Sequence, residues 1–525
     1  MSLRCFFNYS DIIAQMKKGV LFISASFFSG FALMVMELVS SRIMSPIIGS
    51  SVITWTSVIG TTILGLSIGA LIGGHFADKY PVKRTLFYAF LASALLVGLI
   101  PALVPLVRTL ASVEMSLLVL TSLISFSLFL LPATAMGSIQ PIILKLYAKN
   151  FTDIGKEYGA ISAAWSLGSI LGVFLTGFLF VATIGSIQTL VLIALVLIMF
   201  AAFFHESKVI LVILFIIAGG TLGSVVSVQP NMATGTPSSY YQEETPYYLA
   251  QVVPLKAPFP EGVVLFLDFD SHSFETKHHP NYIYTEIYPI FSLLKKEIST
   301  IHVIGAGAYT LPKHFFDFYN AQVTVSEIDP AMERIGERFF SLNPDNIRTI
   351  VSDSRVHLAR TNKRYDIIFG DAFNSFISVP WHLMTREFNE LARDRLNEGG
   401  IYALNFIGSL EGESAVMFRS VRETFRQTFP NHYVFFFGLE PDDINNIVLI
   451  GLKSDNKISA DELREALGGV LYGDILADRL KDIPLSREKT LTLTDNFAPV
   501  ERLLAPIIKK YFPLYISFLE KTRGV

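Results

Sequence analysis

Seven apolar runs, near residues 20–43, 51–77, 84–107, 113–147, 158–182, 186–204 and 208–228, fill most of the first 230 positions of this 525-residue chain. The hydrocarbon core of a bilayer, about 30 Å thick, is crossed by a helix of about 20 apolar residues, so each run is long enough to span it. The pattern predicts an α-helical transmembrane bundle of about seven spans. The fourth run is the longest and contains Pro132 and Pro141, which predicts a kinked helix or one that extends beyond the lipid. The first run is too long for a signal peptide and lacks a small-residue cleavage pattern, so it reads as retained.

Charge divides the chain at the same place. Residues 1–230 carry 12 Lys+Arg and 7 Asp+Glu, whereas residues 231–525 carry 30 and 38. The first part is nearly charge-free, and the second has the charge density of a water-soluble domain with a net negative balance. That balance excludes a nucleic-acid binder, which needs a basic face. The single cysteine, Cys5, excludes an intrachain disulfide and a cysteine-based zinc site. Within the apolar part, Lys and Arg gather on alternate loops: Arg4, Lys17 and Lys18, then Lys79, Lys83 and Arg84, then Lys145, Lys149 and Lys156, then Lys208. The opposite loops hold only Arg42 and Arg108. The positive-inside rule places the N-terminus in the cytoplasm, and seven spans would put the remainder outside.

Gly65, Gly69 and Gly73, with Gly168 and Gly172 in a later run, allow helices to approach closely in lipid. Such seams serve a single bundle or a homodimer, and their commonness favours the first. Glu37 lies in mid-span, where a carboxylate must face protein or water and often marks function; Arg42, about one and a half turns on, is its alternative explanation as a neutralising partner.

The expected organisation is a membrane domain over 1–230, a Ser/Thr/Pro/Tyr-rich linker over 231–246, and a soluble α/β domain over 247–525. In the last, β-rich runs at 263–267, 300–304, 322–326, 365–369, 400–405, 432–437 and 446–452 alternate with amphipathic stretches. Alternation of this kind predicts a doubly wound, Rossmann-like parallel sheet, with the last two runs as an antiparallel hairpin at its edge.

The run ending at Ile304 leads into Gly305-Ala306-Gly307, and the next ends in Ser326-Glu327-Ile328-Asp329. Two glycines let the backbone approach a nucleotide, and an acid about 20 residues on accepts both ribose hydroxyls. A third glycine is absent, with Thr310 in its place, so a nucleoside without pyrophosphate fits better than a dinucleotide. Asp353, followed by Ser354, and Asp371 also follow strand ends; ligands of open α/β sheets lie beyond the carboxyl ends of strands, so the three acids would line one crevice. Asp353 could receive an exocyclic amine and Asp371 could act as a base, although each alone is more often a cap or turn former. His278-His279 lacks further well-spaced ligands and reads as a loop pair.

With these motifs the chain resembles the spermidine synthases, more narrowly the membrane-fused spermidine synthase-like proteins. The resemblance rests on Tyr241-Gln242, Leu267-Asp268, Tyr284-Thr285-Glu286, Val303 to Gly307, Glu327-Ile328-Asp329, Asp353, Tyr365 to Ile368, and Asp371 followed by Leu383 to Phe388. In the membrane part it rests on Ser29 to Glu37 with Arg42 and on Leu131 to Gly137, and near the end on Leu493 to Glu501. It implies that Glu327 holds the ribose, Asp353 and Ser354 the base, and Gln242 the nucleoside. It also implies that Asp371 accepts the proton and that Tyr284 stands beside the attacking amine. The implied co-substrate is decarboxylated S-adenosylmethionine or S-adenosylmethionine, with no tightly bound cofactor and no metal. The implied setting is a bacterial inner membrane.

Two departures stand against efficient spermidine synthesis. The family's acid in the glycine-rich loop is Ala308, and its diamine-gripping acid is Asn374. Glu286 and Asp495 are the candidates to restore a charge at the amine. The leading expectation is an aminopropyltransferase-like enzyme releasing methylthioadenosine, with putrescine a poor acceptor. The alternatives are a lyase that cleaves S-adenosylmethionine alone, methyl transfer, and a transporter or sensor that only binds nucleoside.

Overall fold

The computed structural model describes residues 9–108, 110, 115–148, 153–205, 241–255, 261–268, 270–276, 283–372, 379–454, 458–484 and 490–523. It divides into two compact units, Met1–Met232 and Ala233–Val525. Among the described residues of the first, six helices are long and apolar enough to cross a membrane: Gly19–Ile48, Val52–Lys79, Val82–Val107, Leu117–Tyr147, Ile154–Phe180 and Ser186–Phe203. They coincide with the first six apolar runs. The seventh run, 208–228, lies outside the described residues.

The fourth run is two helices, Leu117–Gly137 and Ile139–Tyr147, parted at Ser138. Pro132 sits inside the first without ending it. Pro141 has no N–H for the carbonyl of Gly137, so the intrahelical ladder lapses at the break. The glycine seams lie within the bundle. A Cβ added at Gly69 would fall 2.1 Å from the carbonyl oxygen of Thr134, and one at Gly168 would fall 1.9 Å from that of Phe27. These glycines are spent on backbone-to-backbone packing of Val52–Lys79 on Leu117–Gly137 and of Ile154–Leu175 on the first helix. Glu37 is half-buried in that first helix.

The second unit opens with a four-stranded antiparallel sheet, β1 Tyr241–Glu244, β2 Leu249–Pro254, β3 Gly262–Leu267 and β4 Asp270–Thr276. Two expectations change here. The run at 263–267 belongs to this small sheet and not to the parallel one, and Tyr241–Glu244, read as linker from its composition, is a strand. The larger sheet contains β5 Thr300–Ile304, β6 Gln322–Glu327, β7 Ile347–Val351, β8 Tyr365–Gly370, β9 Leu396–Gly408, β10 His432–Phe436, β11 Asn445–Leu452 and β12 Leu480–Lys481. Its order is β12-β10-β11-β9-β8-β5-β6-β7. β5 to β9 run parallel, whereas β10 to β12 add antiparallel pairs at one end. β5 and β8 are buried along nearly their whole length, as strands covered on both faces should be. Strand order reverses at β5, with β6 on one side and β8 on the other, and that is where an open α/β sheet binds its ligand.

Candidate active site

β5 delivers the glycine turn to this switch point. Gly305 has φ +83, and a Cβ there would lie 2.9 Å from both Cα of Ala372 and the carbonyl oxygen of Asp371, so only glycine fits the turn and its close approach. β6 ends in Glu327, whose carboxylate is tied to the same turn: the N–H of Ala306 donates to Oε2 at 2.8 Å and that of Asp329 to Oε1 at 2.9 Å. Burial pushes this carboxyl up from its ordinary range, and the backbone N–H groups pull it back by favouring the charged form.

Beyond β7, Asp353 caps the helix Ser354–Arg360 through Oδ1, which accepts from the N–H of Val356 at 3.0 Å. Its Oδ2 lies 3.0 Å from Nε2 of His382. His382 is held from behind, because Arg355 donates to its carbonyl at 2.9 Å while also pairing with Asp495. Ser354 accepts a hydrogen bond from Ser326 at 2.7 Å.

Beyond β8, the N–H of Asp371 donates to the carbonyl of Ile304 at 2.9 Å, which fastens the end of β8 to the glycine turn. Its carboxylate is gripped on both oxygens. Tyr284 donates to Oδ2 at 3.1 Å, Asn405 donates to Oδ1 at 2.7 Å, and Asn446 donates to Oδ1 of Asn405 at 3.1 Å. Burial raises the Asp371 carboxyl, and the bonds from Asn405 and Tyr284 partly offset the rise.

Glu327, Asp353 and Asp371 share one cavity of about 730 Å³. Its size is that of a site for a ligand of nucleoside dimensions or somewhat larger. Of the residues singled out in the sequence, Tyr284, Gly305, Gly307, Glu327, Asp353, Ser354 and Asp371 line it. Three others do not. Gln242 faces its strand neighbour, accepting from Gln251 at 2.9 Å. Glu286 is buried on the same short helix as Tyr284 but away from the cavity, and desolvation pushes its carboxyl up to about 7. Asp495 is engaged by Arg355 and by Thr385, whose hydroxyl donates to it at 2.8 Å. Asn374 and the His278-His279 pair lie outside the described residues. Among the described residues, no cluster of three or more His, Cys, Asp or Glu could hold a metal.

The cavity also contains residues that the motifs did not announce: Tyr247, Tyr248, Asp270, His382, Asn405 and Asn446. Tyr247 and Tyr248 occupy the turn between β1 and β2. Thr245 organises that turn, its hydroxyl accepting from the N–H of Tyr247 at 3.1 Å and of Tyr248 at 2.9 Å while donating to Asp329. Burial first, then the charges of Asp329, Glu327 and Asp353, raise the Tyr247 phenol. The turn thus closes over the acids at the ends of β6 and β7. Gln242, the residue singled out in the sequence, lies on β1 of the same hairpin, a few residues before this turn.

Fold and site define a class: an α/β domain with a mostly parallel, Rossmann-like sheet and a crevice of nucleoside size at its switch point, following a set of apolar helices. No protein-family model matches the chain. Among curated proteins it is similar to a polyamine aminopropyltransferase of Vibrio vulnificus (strain CMCP6), 28% identical over 217 residues, covering 39% of this chain and 69% of that protein. It is also similar to a probable polyamine aminopropyl transferase of Bifidobacterium longum (strain NCC 2705), 26% identical over 218 residues, with 38% of this chain and about half (48%) of that protein covered. A solved structure of a probable spermidine synthase from Corynebacterium glutamicum ATCC 13032 aligns over 49% of this chain and 100% of its own, at 20% identity and a TM-score of 0.37. The sequence resemblance is to transferases of the polyamine type, over about two fifths of this chain (39% and 38%).

Proposed function

We propose that the α/β unit is a membrane-anchored transferase acting on an adenosyl sulfonium, either decarboxylated S-adenosylmethionine or S-adenosylmethionine, and releasing methylthioadenosine. The observation that carries this reading is Asp371 held between Tyr284 and Asn405 in the same cavity as Gly305 and Glu327. The named activity of the Vibrio and Bifidobacterium relatives supports it. Glu327 takes the ribose hydroxyls, and Asp353, oriented by His382, takes the amine of the base. A neutral amine attacks the carbon next to the sulfonium, a C–N bond forms as the C–S bond breaks, and the sulfur keeps the electron pair as methylthioadenosine leaves. The new ammonium gives its proton to Asp371. The sulfonium is already activated, so the protein's part is to position the amine in line and accept that proton. Ala308 is fully buried and outside the cavity wall, so the glycine turn offers no carboxylate to a second ammonium, and putrescine is a poor acceptor.

Mass spectrometry of the purified chain incubated with each donor, with and without diamines, tests the reading. Methylthioadenosine should appear, depend on Asp371, and be little accelerated by putrescine. No methylthioadenosine from either donor would remove the transferase reading and leave nucleoside sensing or transport. Rapid stoichiometric spermidine formation would remove the restriction on putrescine. The N-terminus is proposed to lie in the cytoplasm, on the basis of Lys17, Lys18, Lys79, Lys83 and Arg84. Reporter fusions after residues 18, 80 and 235 read this directly, and activity only outside the cell at residue 18 would reverse it.

A further inference from the structure

Three residues of the cavity lining, Asp270, Tyr511 and Tyr515, have no part in the nucleoside and proton-transfer roles above. Asp270, the first residue of β4, is 6% exposed and lies on the cavity wall. Its Oδ1 accepts from the N–H of Ser271 at 2.9 Å, and the same N–H lies 2.9 Å from the hydroxyl of Tyr515. Tyr515 and Tyr511 sit one turn apart on the helix Val500–Arg523, their rings stacked with centroids 5.7 Å apart and planes at 29°. Both line the cavity. Burial, then the negative charge of Asp270, pushes the Tyr511 phenol up to about 12, so it stays neutral and adds no charge of its own.

A buried carboxylate on a cavity wall favours a cation and repels an anion. Aromatic rings add attraction for an organic cation through their π faces. The glycine turn supplies neither: Ala308 contributes only a backbone N–H, donated to the hydroxyl of Ser273 at 2.9 Å. We propose that Asp270, Tyr511 and Tyr515 form a subsite for a primary ammonium group. Given the transfer reading, that ammonium is the amino group on the donor's own arm or, against the restriction on putrescine drawn above, the far amine of a diamine acceptor.

Calorimetry on the full chain in detergent separates these sources, using three probes: methylthioadenosine, which has no amino arm; decarboxylated S-adenosylmethionine; and putrescine added at saturating methylthioadenosine. Asp270→Asn should weaken one of the two amine ligands by roughly tenfold or more while leaving methylthioadenosine within about twofold. Loss confined to the adenosyl donor assigns the ammonium to its arm, and loss confined to putrescine assigns it to the acceptor. Tyr511→Leu should weaken the same ligand by roughly threefold, and Tyr511→Phe should keep it. The Tyr511 pair decides the matter if Asp270→Asn does not fold. Unchanged binding of both amine ligands by Asp270→Asn and Tyr511→Leu overturns the subsite, as does a wild-type chain that binds neither. Amine binding that depends on Asp270 in a chain that ignores methylthioadenosine would uphold the subsite and sink the nucleoside reading.

Discussion

The two units handle their hydroxyl and amide groups in opposite ways. In the helical unit most of the described Ser and Thr hydroxyl bonds run to the carbonyl one turn back in the same helix, as from Ser40 to Met36 at 2.6 Å, Thr62 to Val58 at 2.9 Å and Thr121 to Leu117 at 2.6 Å. Ser26 to Ile161 and Ser125 to Thr61, both at 2.8 Å, are among the few that cross between helices. In the α/β unit the corresponding groups join distant segments: Thr245 to Asp329, Asn405 to Asp371, Asn446 to Asn405 and Ser273 to Ala308. In a helix long and apolar enough to cross lipid, where no replacement partner is at hand, a hydroxyl that closes on its own helix leaves the apolar surface unbroken. Where water backs the fold, polar groups are free to act as long-range ties. One unit closes most of its hydroxyls on single helices; the other, built on an apolar core, uses polar groups as a network that fixes side chains around the cavity.

If so, the largest effect should come from cutting the network at its centre. Asp371→Asn should lower turnover by about 10²–10⁴ while leaving methylthioadenosine affinity and thermal stability nearly unchanged. Burial raises this carboxyl, so the acid limb of the wild-type pH–rate profile should lie above the ordinary aspartate range and vanish in the variant. Next comes a test of shape. Gly69→Leu has no room beside Thr134, and the overpacking should cost about 1–3 kcal/mol or more, read as a lower midpoint in detergent melts and loss of monodisperse protein.

Glu286 tests what an acid away from the cavity contributes. Its carboxyl titrates near 7 in the fold and near 4.5 when unfolded, so its contribution to stability is fully present below about 4.5 and lost as pH rises through about 7. Glu286→Gln should flatten that decline, losing less stability than the wild type between pH 5 and pH 8 when melts at the two are compared. Thr245→Val strips the β1–β2 turn of its organiser and should cost about 1–2 kcal/mol with weaker nucleoside binding. Thr121→Val in the membrane should change stability by no more than about 0.5 kcal/mol, since only a bond within one helix is lost. A larger loss at Thr121 than at Thr245 would break the contrast between the units.

What could be read from the sequence follows the same division. Six long apolar helices were legible because apolar length alone marks them, and β5, β6, β8 and β9 because short runs rich in Val, Ile, Phe and Tyr alternate with amphipathic stretches. β7, partly exposed, and β4, with the polar run Asp270-Ser271-His272-Ser273, left no such signal. The run at 263–267 was found, but period cannot name a strand's partners, so its sheet was wrong. Gly305, Glu327 and Asp371 were legible because each sits at the end of a strand that the sequence marks, and Asp353 because it is an acid at the start of an amphipathic stretch, two residues past β7. His382, Asn405, Asn446 and Tyr511 were not, because the chain's path in space, and no spacing along it, brings them to the cavity. Asp495 carries a charge near a motif, but Arg355 takes it up.

Glu327 sets a narrow rule for what may stand in its place. Two N–H groups, of Ala306 and Asp329, point at its two oxygens, so the position needs an acceptor on each side. Glutamine has the same length and shape, yet its amide carries hydrogens on one side, and in either flip it must aim an N–H at an N–H. Aspartate keeps both acceptors but stops one methylene short. The residue that looks the mildest replacement therefore sets donor against donor inside a buried turn. The same pinning holds the carboxylate in one orientation, so a ligand meets an acceptor already turned toward it and gives up no side-chain freedom to find it.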